Sequence, residues 1–112
     1  MAVDLARLKR SRQHEVDAGG YRFTLERPTQ YEVASAGGLL RADLDFIVRH
    51  VVGWDLKESD LLAGGDPEPA VFDADVCALW LADQPDLWRP LAQSLRDAFV
   101  AHEEARAAKG KA

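Results

Sequence analysis

The stretch Phe46 to Asp55, FIVRHVVGWD, is the most apolar long segment of the chain, and it ends in a Gly-Trp pair. How it is read decides the fold. Leu40, Leu44, Ile47, Val48 and Val51 recur at spacings of 4, 3, 1 and 3, which is the apolar stripe of a helix. Asp43, Asp45 and Arg49 fall mostly on the other side. The spacing predicts a helix from about Leu39 to Val52, ended by Gly53, with Trp54 folding back over the last turn as a core plug.

Upstream, Tyr21, Phe23 and Leu25 alternate with Arg22, Thr24 and Glu26, the period of a half-buried strand. Asp17, Ala18, Gly19 and Gly20 precede it, and adjacent glycines suit the positive φ angles of a tight turn. A β-hairpin over 13–27 is predicted; two strands alone are unstable in water and must lie on helices or on a partner's sheet. Pro28 stops the strand, and Thr29-Gln30-Tyr31-Glu32 is a capping-box pattern opening a short helix over Gln30 to Ala36, closed by Gly37-Gly38. Residues 1–12 form a flexible basic arm, frayed or partly helical.

Downstream, Gly64, Gly65, Pro67 and Pro69 exclude a continuous helix between Asp55 and Phe72, leaving an acidic loop with a short turn near Leu61 and Leu62. Asp73 can cap a third helix, with Phe72 placed to staple back onto Cys77 and with Val76, Leu79 and Trp80 on one side. Asp83-Gln84-Pro85 is a break and a restart. The last helix is predicted from Asp86 or Arg89 to Ala108, with Leu87, Leu91, Leu95, Ala98 and Phe99 as its inner face and Pro90 in its first turn or at a kink. Residues 109–112 are expected to be a flexible tail. The fold class is thus mainly α: about four helices with a short N-terminal β-hairpin, a small α+β fold in a single domain.

A length of 112 residues, 47% hydrophobic and 29% charged, fits one globular domain. The first residues lack the apolar core of a secretory signal, and no stretch approaches the roughly 18 apolar residues of a membrane span, so a soluble cytoplasmic protein is expected. Charge is uneven. Arg7, Lys9, Arg10 and Arg12 face only Asp4 in the first fourteen residues, whereas Asp43 to Asp86 holds eleven acidic residues against Arg49 and Lys57. An acidic middle repels phosphate backbones and disfavours nucleic acid as a partner.

Enzyme signatures are missing. There is no glycine pattern that cradles phosphate, and His14, His50 and His102 lack the i, i+3 or i, i+4 pairing of a helical metal site. They read as structural or surface histidines. The lone Cys77 excludes an internal disulfide and reads as a small core residue, while the acidic residues from Asp55 to Glu68 have the wrong spacing for a calcium loop. No cofactor or metal is expected. Trp54, Trp80 and Trp88 sit at helix ends, where tryptophan either plugs a core corner or anchors a partner. Trp54 is assigned to the core, and Trp88, between Pro85 and Pro90, is the preferred anchor. The expected partner-binding residues are Trp80, Trp88, Leu91, Leu95 and Phe99.

The order of features is similar to that of a known family. A short strand runs into a proline and a capped helix (Tyr21 to Ala36). Val51-Val52-Gly53-Trp54 and an acidic Gly/Pro loop follow. The Phe72-Asp73 cap, a Pro-Asp break and a long charged C-terminal helix complete the series. This order resembles the small tail assembly chaperones of long-tailed bacteriophages and prophages, from about Gly20 onward. The resemblance implies a non-enzymatic protein that coats the tape-measure protein, keeps its apolar helices soluble and recruits tail-tube subunits. Such proteins are typically absent from the finished particle, and many are made with a frameshifted extension. Two other readings stand beside it: a structural head–tail or tail component that stays in the virion, with possible homo-oligomeric sheet sharing, and a small bacterial regulatory adaptor.

Overall fold

The computed structural model describes residues 2–38 and 43–110. Through them the chain runs α1 (Leu5–Ser11), β1 (Gln13–Ala18), β2 (Tyr21–Glu26), α2 (Gln30–Ser35), α3 (Leu44–His50), β3 (Val51–Trp54), α4 (Glu58–Leu61), α5 (Ala74–Ala82) and α6 (Pro85–Gly110). It is a small α+β fold, mainly helical, around a three-stranded antiparallel sheet of order β1-β2-β3.

The hairpin forms as predicted. Gly19 and Gly20 both take positive φ, 60° and 84°, and Ala18 closes the turn opposite Tyr21. Along β1 and β2 exposure alternates, so Val16, Ala18, Phe23 and Leu25 face inward while Glu15, Asp17 and Arg22 face solvent. The capping box also forms. The Thr29 hydroxyl accepts from the Glu32 amide at 3.0 Å, and the Glu32 carboxylate accepts from the Thr29 amide at 2.9 Å. At the other end of α2, Gly38 N–H reaches the Val33 carbonyl and Gly37 N–H the Ala34 carbonyl, a Schellman closure.

The central stretch departs from expectation. The helix stops at His50, and the chain passes directly into β3 without a connecting loop. Val51 sits opposite Leu25, Gly53 opposite Thr24 and Trp54 opposite Phe23, with Val52 as the extra residue where the register shifts. The hairpin's second strand would otherwise be an open apolar edge, and the β-branched Val51-Val52 pair satisfies it better as strand than as helix. Gly53 is therefore a strand residue and not a helix stop, and Trp54 does not fold over the helix. The predicted start at Leu39, with Leu40, lies outside the described residues.

Trp54 instead closes the acidic loop. Its indole N–H donates to the Ala70 carbonyl at 2.9 Å, and Phe72 meets its ring edge-on at 5.0 Å. Backbone bonds from Glu58 to Glu68, Ser59 to Asp66 and Ala70 to Leu56 lace the loop shut around the one-turn α4.

Helices α3, α5 and α6 cover one face of the sheet. Phe23, Leu25, Ile47, Leu56, Cys77, Leu81, Leu91 and Leu95 are fully buried there, and each such large side chain contributes roughly 1.5–3 kcal/mol relative to exposure. On α5 the inner residues are Cys77 and Leu81 rather than Val76 and Leu79, which point outward. This helix is apolar on nearly every side, so its packing is set by the Asp73 cap, whose carboxylate accepts from the Asp75 and Val76 amides, and by the sheet beneath. Helix α6 begins at Pro85, takes Pro90 into its second turn and continues to Gly110, past the predicted end at Ala108; residues 111 and 112 lie outside the described residues.

Candidate protein-binding surfaces

The five residues expected to contact a partner are held inside this chain to different degrees. Leu91, Leu95 and Phe99 are buried in the core and present no surface, because α6 packs this stripe against β1, α3 and α5. Trp80 is half-buried; it meets Tyr21 edge-on at 5.5 Å and lies 6.4 Å from the Phe23 ring. Trp88 is half-buried too, and its indole N–H donates to the Leu81 carbonyl at 2.7 Å. These aromatic rings join the helices to one another and to the sheet.

The exposed apolar surface lies elsewhere. Leu79 is 76% exposed and Val76 43%, one helical turn apart on the outer side of α5, and Val71, just before the cap, is 92% exposed. The inner side of the same helix is fully buried at Cys77 and Leu81, so this face is presented on a fixed support.

A second surface is the outer edge of β1, the end strand of the sheet. With a two-residue turn, Ala18 and Tyr21 form the hydrogen-bonded closing pair, so the ladder bonds fall at Ala18, Val16 and His14. The backbone N–H and C=O groups of Gln13, Glu15 and Asp17 consequently point away from β2. Behind this edge runs an open, largely apolar groove of about 620 Å³ between His14 and Val16 on one side and Pro90, Ser94, Asp97 and Ala98 of α6 on the other.

Titratable groups are structural in their placement. His50 is 3% exposed, stacked on Phe46, with Nδ1 2.8 Å from the Phe46 carbonyl and Nε2 3.0 Å from Glu32. Burial alone would raise the Glu32 carboxyl, but the Thr29 amide and hydroxyl together with His50 outweigh it and hold Glu32 below its ordinary value. His14 Nε2 lies 3.1 Å from the Ser94 hydroxyl, and burial pushes this imidazole below its ordinary value. Cys77 is fully buried, and burial pushes its thiol up to about 11, as suits a core residue. Among the described residues no group of three or more His, Cys, Asp or Glu side chains could hold a metal ion, and no helix is long and apolar enough to cross a membrane.

The Glu32–His50 pair was out of reach of sequence spacing, since its members are 18 residues apart on different helices. The free β1 edge follows from the order of the third strand, which the helical reading of Val51 to Trp54 concealed. No protein-family model, curated protein or solved structure matches the chain.

Proposed function

We propose that the chain is a non-catalytic protein-binding module acting in the host cytoplasm as a tail assembly chaperone of a long-tailed phage or prophage, where it binds the tape-measure protein, tail-tube subunits or both. The observation that carries this reading is the outer face of α5, where Val76 and Leu79 stand exposed on a helix whose other side is fully buried. A holdase needs apolar side chains offered from a scaffold that stays folded, and an amphipathic segment of a partner can lie along such a face. The order of sequence features shared with that family supports the same reading.

Co-expression with the tape-measure protein of the same genome tests it. The partner is expected to be soluble and to co-purify with the wild-type chain. The double substitution Val76→Glu with Leu79→Glu, at exposed positions, is expected to abolish this at unchanged stability. A tape-measure protein that stays insoluble beside the wild-type chain defeats the reading.

The open β1 edge favours one alternative, a structural tail component retained in the virion and sharing sheets with its neighbours. Purified particles separate the two, since a chaperone is absent from them and a ring or tube subunit is stoichiometric.

A further inference from the structure

We propose that the free edge of β1 and the groove behind it form a strand-addition site for an extended peptide segment in which basic and apolar residues alternate. This rests on the reading of the chain as a partner-binding protein but specifies a surface and a chemistry that the reading does not.

Three outward pairs of backbone groups, at Gln13, Glu15 and Asp17, supply the ladder for a fourth strand. Side chains directly opposite in a sheet share a face. A residue of the added strand opposite Glu15 or Asp17 therefore projects onto the outer, solvated face. There Arg22 lies 3.5 Å from Glu15 and 3.0 Å from Asp17, and its amide donates to Asp55 at 2.8 Å. Glu15 and Asp17 flank the guanidinium, and Asp55 adds a third carboxylate at the Arg22 amide. Even with Arg10 beside Glu15, this face keeps an excess of negative charge, which selects lysine or arginine. The intervening residues of the added strand project to the inner side, into the groove beside Val16, Pro90 and Ala98, which selects apolar side chains. Pro90 contributes ring surface here and no N–H.

A second copy of the chain is a poor occupant. Of the two-fold antiparallel registers that use most of the strand, one sets Glu15 against Glu15 and the other sets Glu15 against Asp17, and like charges directly opposite destabilise a pair.

The probe is a fluorescein-labelled peptide of four Lys-Val repeats, followed by anisotropy at low salt, with Glu-Val and Lys-Ser repeats as controls. The Lys-Val peptide is expected to bind at least tenfold tighter than either control and to slow amide exchange at Glu15 and Asp17. Glu15→Pro removes an outward N–H that is not part of the β1–β2 ladder, as an edge strand tolerates. It is expected to weaken binding at least tenfold with an unchanged circular dichroism spectrum. Should that variant fail to fold, Glu15→Lys with Asp17→Lys serves instead, and its preference is expected to shift from Lys-Val to Glu-Val repeats. The proposal is overturned if the Lys-Val peptide does not bind, or if folded Glu15→Pro binds it as wild type does. Exchange protection at β3 or α5 in place of β1 also overturns it, as does a dimer in sedimentation that Glu15→Pro dissociates. Peptide binding without a solubilised tape-measure protein would leave this site standing and remove the proposed function; the reverse result would do the opposite.

Discussion

Trp88 donates its indole N–H to the main-chain carbonyl of Leu81 across 2.7 Å, so the first turn of α6 is fastened to the last turn of α5. The Leu81 carbonyl, in the last turn of α5, also accepts from the Gln84 amide at 2.9 Å, and the indole adds a second bond while its ring covers the junction.

Trp88→Ala is accordingly expected to cost about 3 kcal/mol of stability. Trp88→Phe, which keeps most of the ring and loses the donor, should cost about 1 kcal/mol. Urea unfolding of the two variants measures the difference. A Trp88→Phe variant as stable as the wild type would show that the hydrogen bond contributes nothing.

The hairpin turn meets the same helix. A methyl group added at Gly19 would overlap Cδ2 of the buried Leu87, and the residue has φ of +60°, whereas a methyl at Gly20 would meet nothing. Gly19→Ala is expected to cost roughly 2 kcal/mol through backbone strain and displacement of Leu87. Gly20→Asn should be nearly neutral, since asparagine tolerates the left-handed region. Thermal melts of both variants check the contrast.

Acid should destabilise the protein in two separate windows. His14 is lowered by burial, so the fold holds it neutral; that contribution is complete above the ordinary value of 6.5 and is lost as pH falls below it. Glu32 is held below its ordinary 4.5, so its contribution is complete above 4.5 and is lost as pH falls further, through the lowered value. His14→Gln is expected to flatten the first decline and Glu32→Gln the second. Glutamine at 32 retains an acceptor for the Thr29 amide, so the cap survives in that variant. Unfolding free energy measured from pH 8 to pH 3 distinguishes the two.

The Cys77 thiol, buried and raised to about 11, should not react with an aromatic disulfide reagent at pH 8 in the native state and should react at once in denaturant. Rapid labelling of the folded protein would show that the α5 packing opens locally.

Features set by neighbouring residues were legible in the sequence. The Gly19-Gly20 turn, the Thr29–Glu32 box, the Asp73 cap and the Pro85 restart each depend on chemistry within a few positions. The strand Val51 to Trp54 was not, because Val48 and Val51 continue a helical spacing and the choice was made by Leu25 and Phe23, far away in sequence. A short apolar run carries too little periodicity to separate helix from strand without its pairing partner.

The binding surface was obscured for a related reason. Helix α5, ADVCALWLA, has apolar residues all round, so spacing could not say which would be inside. Spacing groups Val76, Leu79 and Trp80 on one side of the helix, and of these Val76 and Leu79 are exposed, while Cys77, read as a core residue, is buried. Leu91, Leu95 and Phe99 looked both like an inner face and like a contact surface, and the long stripe of α6 has room only for the first. Trp88 likewise drew attention as an anchor, whereas its indole N–H is used on the Leu81 carbonyl of its own chain, and Trp54, read as a core residue, bonds the Ala70 carbonyl.

The bond between His14 and Ser94 joins residues 80 positions apart. During synthesis the three strands leave the ribosome before the α6 residues that cover β1. Until then the inner face of β1 at His14 and Val16 lacks its lid, and the incomplete sheet is a sticky intermediate. Folding must therefore wait for the final third of the chain, and a nascent product stalled before Leu87 would be an aggregation risk rather than a smaller working protein.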